Sequence, residues 1–289
     1  NVLLGCTSSG APIWLDKTYV EADKRIVLGF IEPHFFAGFS GGAKGVAPGV
    51  AGIESILYLH GYDLIAHPNS TWGVMDGNPM RQAVQELAAA CPPDFLINVT
   101  LNNAKRITNF FVGDYVAAHA AGCACAREQA MTPVPHRFPI VVTSNSGFPL
   151  DQNLYQTVKG MSAAARIVEE GGMIIVAAEC SDGIPSHGHF GSMLRQAHDT
   201  GALEQTVRSL PTPRLDQWQV QVFASILKRC EVALYSKLDA ETTRACLMTP
   251  VDDVFEAVAE RIEQIGRGAP VAVLPEGPLT VAYVARSAG

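Results

Sequence analysis

From Arg25 to Pro275 the chain alternates strand-length apolar runs with helix-length, often alanine-rich segments. That rhythm is the strongest constraint on its fold. Apolar strands that each lead into a helix belong in parallel sheets covered on both faces. The strands are expected at Arg25 to Gly29, Asp94 to Thr100, Phe138 to Thr143, Gly172 to Ala178, Glu231 to Ser236 and Pro270 to Pro275. Helices are expected from about Gly52 to Leu59, Asn78 to Ala90, Tyr115 to Met131, Leu154 to Glu170, Gln217 to Lys228 and Val251 to Ile265, and over most of Phe190 to Leu203. Pro79, just inside the second of these, marks a helix start. Lys105 to Asp114 reads as a hairpin turning at Gly113-Asp114.

Two prolines in Thr132-Pro133-Val134-Pro135 interrupt the rhythm, because proline breaks both helix and sheet. We therefore expect an α/β protein of two domains, with parallel or mixed sheets flanked by helices. Residues 1–132 form the first domain and 133–265 the second, while 266–289 supply a C-terminal strand and tail that can return to the first. The opening Asn1-Val2-Leu3-Leu4-Gly5 carries no initiator methionine, basic segment or signal-like run and reads as the middle of a fold. The chain is accordingly expected to lack the N-terminal part of its first domain.

Composition excludes several functions. A formal charge of -7 with 17% charged residues leaves no basic footprint for nucleic acid. The longest apolar runs match single buried strands and fall well short of a membrane span. Seven cysteines without a CxxC pair fit reduced thiols in a cytoplasmic protein.

Chemistry concentrates in Ile31-Glu32-Pro33-His34-Phe35-Phe36-Ala37-Gly38-Phe39-Ser40-Gly41-Gly42-Ala43-Lys44-Gly45, which sets a histidine and a lysine ten residues apart across a glycine-rich turn. It begins where a strand has just ended, the place where open α/β sheets collect ligands. The GxxxxGK[ST] order of a phosphate loop is absent. Lys44, among neighbours too small to need its alkyl stem, can bind an anion or carry a covalent cofactor. His60 closes the following helix and can point back toward Lys44, whereas His67 reads as a loop residue. His187 and His189 stand two apart with no further ligand at zinc spacing, so a metal site there is disfavoured. After the strand Phe138 to Thr143, the block Asn145 to Gly160 brings Tyr155, Gln156 and Lys159 together, with Tyr155 and Lys159 on one helix face. A phenol, an amide and an ammonium suit a carboxylate or alkoxide ligand, and they equally suit a solvated helix start.

At these residues the chain resembles the lactate racemase family, nickel-pincer nucleotide-dependent racemases and epimerases of 2-hydroxy acids. The likeness lies in Gly29 to Glu54, in Asn145 to Gly160, and in Thr212-Pro213 through Asp216-Gln217-Trp218-Gln219-Val220-Gln221. It implies that Lys44 carries a pyridinium-3,5-dithiocarboxylic acid mononucleotide-type cofactor covalently, with Gly41 and Gly42 beside it, and that His60 coordinates its nickel. It further implies that His34 is one of two acid/base residues, that Tyr155, Gln156 and Lys159 hold the substrate, and that Trp218 lies near cofactor or substrate. The implied reaction is stereoinversion by reversible hydride transfer through a planar 2-keto acid. The implied partners are a small 2-hydroxy acid and the proteins that mature the cofactor, with neither nucleic acid nor membrane.

Two departures accompany the resemblance. The family's second catalytic histidine and its principal substrate-binding arginine lie upstream of the matched region. Ala43 stands where lactate-specific members tend to carry arginine, which leaves malate, aromatic and sugar acids open as substrates. A degenerate relative or binding module that keeps the fold without cofactor attachment is the competing reading. An NAD enzyme is disfavoured by the lack of a G-x-G-x-x-G after any strand.

Overall fold

The computed structural model describes residues 1–285, so the end of the expected tail, residues 286–289, lies outside the described residues. The chain divides into two compact units, Asn1–Met131 and Thr132–Gly289.

The first unit opens with an antiparallel pair, β1 (Val2–Cys6) and β2 (Pro12–Leu15), followed by the short helix α1 (Lys17–Glu21). Asp16 caps α1 by accepting the Thr18 and Tyr19 amides. Strand β3 (Ile26–Phe30) leads into a two-residue pair, β4 (Pro33–His34) with β5 (Gly38–Phe39), and then a 3₁₀ turn over Gly42–Gly45. Helices α2 (Ile53–Leu59), α3 (Tyr62–Ala66) and α4 (Pro79–Ala89) follow, and Asn78 caps α4 through the Arg81 amide. Strands β6 (Phe95–Leu101) and β7 (Ile107–Gly113) and helix α5 (Ala117–Ala130) complete the unit.

Its main sheet runs β3-β6-β7, parallel across the first pair and antiparallel across the second. One expectation needs correcting here. Lys105 to Asp114 is no hairpin: the turn falls at Asn102 to Arg106, with Lys105 left-handed at φ 59° and the Arg106 amide on the Asn102 side chain. Gly113-Asp114 instead starts α5, where the Asp114 carboxylate accepts the Val116 and Ala117 amides.

Nor do the described residues cover this sheet on both faces. Helix α5 packs against β6 and β7 on the side that buries Val27, Leu96, Asn98 and Thr100. On the opposite side the registered rows Ile26–Phe95, Leu28–Ile97–Val112 and Phe30–Val99–Phe110 are all apolar. Leu28 is 70% exposed and Phe110 66% exposed, so this face meets solvent.

The second unit holds a five-stranded sheet, parallel throughout. After β8 (Met131–Val134), β9 (Phe138–Ser144) and β10 (Val168–Ala177) flank α6 (Leu154–Ala164) in sequence. Helix α6 is shorter than expected, because Val168 already pairs with Phe138 and the Arg137 guanidinium holds the Arg166 and Val168 carbonyls. Helices α7 (Phe190–Gln196), α8 (Thr200–Arg208) and α9 (Gln217–Leu227) lead to β11 (Glu231–Tyr235), α10 (Ala240–Ala245) and β12 (Thr249–Pro250). The unit ends with α11 (Val254–Ile265), β13 (Val271–Leu274) and β14 (Val281–Val284).

Expected to be able to return to the first domain, the C-terminal strand belongs to the second unit. β13 lies beside β9 in its sheet, and β14 pairs with β8. Fully buried Ile140, Ile174, Leu154, Met161 and Phe223 form the core around the sheet. The chain builds from β9 outward to β12 and then crosses to β13 on the other side of β9. The strand order therefore reverses beside the carboxyl end of β9, where the Asn145 to Gly160 block begins.

Candidate active site

The sequence-predicted residues fall into two groups, one in each unit. In the first unit, His34 sits on β4, Lys44 in the 3₁₀ turn and His60 at the C-terminal cap of α2. The His34 ring contacts Phe36, and Phe36 stands edge-on to His60 with ring centroids 6.1 Å apart. Lys44 is close enough for its charge to act on His60.

His60 has a defined proton arrangement. Its Nδ1 lies 2.8 Å from the Ile56 carbonyl. A carbonyl can only accept, so Nδ1 carries the hydrogen and the neutral ring presents its lone pair at Nε2. Burial, and then the Lys44 charge, push its pKa down to about 4. A buried neutral imidazole anchored through a backbone carbonyl is the usual form of a metal-binding histidine. Among the described residues no group of three or more His, Cys, Asp or Glu side chains could hold a metal ion. A metal at His60 would thus take its other donors from a bound group.

His34 has the opposite tautomer. Its Nδ1 accepts the Phe36 and Ala37 amides at 3.1 and 3.2 Å, so the neutral ring carries its hydrogen on Nε2. A second proton on the ring would displace those two hydrogen bonds.

The glycine-rich turn is moulded from beneath. Gly41 and Gly42 have φ of 75° and 58°, and the Gly42 amide donates to Asn98 Oδ1 at 2.8 Å. A Cβ on Gly41 would stand 2.6 Å from Asn98 Oδ1, and one on Gly42 2.5 Å from the His119 ring. Protein packing by itself therefore requires glycine at both positions. Asn98, His119 and its hydrogen-bond partner Arg81 were missed in the sequence. They lie on regular elements far from the turn, and only the tertiary fold delivers them beneath it.

In the second unit, Asn153 caps α6 through the Gln156 amide at 3.0 Å. Gly160 packs directly on the Ser144 backbone, and its amide donates to Asn145 Oδ1 at 2.8 Å, which seats α6 at the end of β9. Tyr155, Gln156 and Lys159 are each half-buried. Trp218 Nε1 donates to Tyr155 Oη at 2.9 Å, and Gln219 donates to the Tyr155 carbonyl at 2.7 Å. The Tyr155 hydroxyl in turn donates to Asp216, and burial pushes the phenol up to about 12.

Asp216 had no assigned role in the sequence. It is 9% exposed, left-handed at φ 69°, and close-packed on Gly188 between His187 and His189. Burial raises its pKa, against the opposing influence of His187, the Tyr155 hydrogen bond and His189.

Residues 135–282 match the family described as the lactate racemase C-terminal domain, and residues 1–73 match the lactate racemase N-terminal domain. The lactate racemase of Thermoanaerobacterium thermosaccharolyticum is 36% identical over 278 residues, covering 95% of this chain and 65% of its own length. That of Lactiplantibacillus plantarum is 37% identical over 281 residues, with shares of 96% and 65%. The chain thus spans 65% of the length of these curated relatives. The structure of the lactate racemase apoprotein from T. thermosaccharolyticum superposes with a TM-score of 0.91 at 35% identity, over 97% of this chain and 67% of that one. A crystal structure of a Thermotoga maritima protein shares the fold at a TM-score of 0.73 and 16% identity, covering 96% of this chain and 70% of that one.

Proposed function

We propose, from the premise that this chain belongs to the lactate racemase family, that it forms the greater part of a racemase or epimerase of a 2-hydroxy acid. The observation that carries the reading is the pairing in the first unit: a half-buried, neutral His60 with its lone pair at Nε2, beside a lysine on a glycine-rich turn. That donor set fits a nickel-pincer nucleotide. Lys44 would hold it covalently, Gly41 and Gly42 would let the turn lie against it, and His60 Nε2 would ligate the nickel. When bound, the group would supply an acceptor that takes up the substrate's α-hydride and gives it back.

The chain's own residues handle protons and orientation. His34 is the acid/base residue. Its Nε2 already bears a hydrogen, so receiving the substrate hydroxyl proton requires the ring to turn or to give up its bonds from the Phe36 and Ala37 amides. With the hydroxyl proton and the α-hydride removed, the substrate is a planar 2-keto acid that can be rebuilt on either face. Lys159 supplies charge to the substrate carboxylate, and Gln156 a directed hydrogen bond. Tyr155 spends its hydrogen on Asp216 and accepts one from Trp218. It therefore stiffens the wall of the site and offers only a remaining lone pair.

We place the protein in the cytoplasm, because its seven free cysteines fit a reducing compartment. Its partners are the 2-hydroxy acid and the cofactor-maturation proteins. Optical rotation of a panel of 2-hydroxy acids, incubated with protein matured alongside those proteins, tests the activity. Loss of optical purity in one acid supports a racemase. Full maturation with every acid left unchanged would favour a binding module.

A further inference from the structure

We propose that Arg81 and His119 form a buried positioning pair that sets the shape of the loop carrying His34 and Lys44. The loop geometry stands on its own, and only its use in cofactor attachment rests on the proposed function.

Arg81 on α4 is 3% exposed, and its Nη2 lies 2.7 Å from His119 Nδ1. A guanidinium keeps its charge and can only donate. Nδ1 of His119 must therefore be the acceptor, which forces the ring hydrogen onto Nε2. That nitrogen lies 2.8 Å from the Ser40 carbonyl, which can only accept. The direction of every hydrogen in the chain Arg81–His119–Ser40 is fixed by chemistry. His119 is 1% exposed, and burial together with the Arg81 charge keeps it neutral.

Ser40 is where the two arms of the loop meet. Its amide donates to the Glu32 carbonyl at 2.9 Å, its hydroxyl receives the Glu32 amide at 2.9 Å, and the hydroxyl donates to the Phe30 carbonyl at 3.0 Å. Glu32 lies two residues before His34, and Ser40 four before Lys44. The His119 ring also forms the floor under Gly42, where a Cβ would collide with it. One imidazole thus holds the crossing point by a hydrogen bond and the turn by contact.

The pair is a costly way to fill a core. Nε and Nη1 of Arg81 are buried without a hydrogen-bond partner among the described residues, and the thiol of Cys123 lies 3.4 Å from the His119 ring. A buried cation with unmet donors works against stability, and an apolar side chain of similar volume would avoid the penalty. What it supplies in return is the orientation it imposes on His119.

The test compares the unaltered protein with Arg81→Met and His119→Phe, each checked for folding by thermal unfolding. Ring nitrogen spectra of histidine-labelled protein, with the His119 signal assigned by its loss in His119→Phe, should show one neutral Nε2–H tautomer at pH 7. In Arg81→Met that signal should move to a mixture of tautomers or begin to titrate near the ordinary histidine value. Amide exchange at Gly42 should accelerate roughly 5–30-fold in both variants, as expected for one lost buried interaction. Labelling of Lys44 by an amine-reactive ester should also accelerate, with exposed Lys24 as the internal control. An Nδ1–H or doubly protonated His119 in the unaltered protein would overturn the proposal, even if neither variant folds. So would unchanged spectra, exchange and Lys44 labelling in a folded Arg81→Met. Intact mass after maturation separates the two claims, because altered loop measurements with no adduct on the unaltered protein would sink the racemase reading and leave the positioning pair standing.

Discussion

His34 and His60 are the same residue type, yet their backbone partners give them opposite tautomers, and their proposed roles diverge accordingly. The lone pair of His60 suits a metal, whereas the Nε2 hydrogen of His34 suits the proton-donating half of acid/base work. Replacing His34 with Ala should leave cofactor attachment intact and slow racemisation by roughly 10²–10⁴-fold, the usual worth of a positioned acid/base group. Equal turnover of both enantiomers by His34→Ala and the unaltered protein would remove it from the mechanism. A second residue-scale prediction concerns acid. His119 is held at about 4 in the fold against an ordinary value near 6.5. The unfolded chain therefore binds the proton first as pH falls, so the stabilisation is complete above about 6.5 and fades toward 4. Urea unfolding at pH 7, 5.5 and 4.5 should show a steady loss, on the order of 1 kcal/mol per unit through this window. In His119→Phe that part of the loss should vanish. These tautomers were not legible in the sequence, because each depends on a carbonyl or amide positioned by the fold. The residues themselves were legible, since a histidine and a lysine in a glycine-rich apolar stretch have few other uses.

At the scale of elements, strands and helices with strong periodicity were readable, and local turn chemistry was where the reading failed. Asn102-Asn103 was passed over in favour of Gly113-Asp114, although the Asn102 side chain closes the real turn and Asp114 caps α5. Glu169 and Glu170 favour a longer α6 by propensity alone, but pairing of Val168 with Phe138 overrides them. Among the caps, Asn153 bears most directly on the proposed site, because it starts α6 at Gln156 and Lys159, the residues proposed to hold substrate. Asn153→Ala should cost about 1 kcal/mol in urea unfolding and weaken substrate binding more than it slows turnover. An unchanged stability and KM would mean that the cap does not set the position of Gln156 and Lys159.

Across the whole molecule, the parallel sheet of the second unit was anticipated from its apolar strands, whereas the half-covered sheet of the first was not. Alternation in β3 and β7 is a weak signal when both faces carry apolar residues. The exposed rows through Leu28 and Phe110 make a patch of a kind that soluble monomers rarely present. The chain as given should therefore bind a hydrophobic dye, and Leu28→Glu should reduce that signal without lowering the unfolding temperature. Absence of dye binding would show that the face is covered in solution. The central claim, that Lys44 and His60 together hold a nickel-bearing nucleotide, has a direct test in intact mass and nickel content of protein matured with the cofactor-synthesis proteins. The account predicts an added mass that maps to the Lys44 peptide with one nickel per chain, and its loss in Lys44→Ala while the fold persists. An adduct retained by Lys44→Ala, or fully matured protein with neither added mass nor nickel, would contradict it.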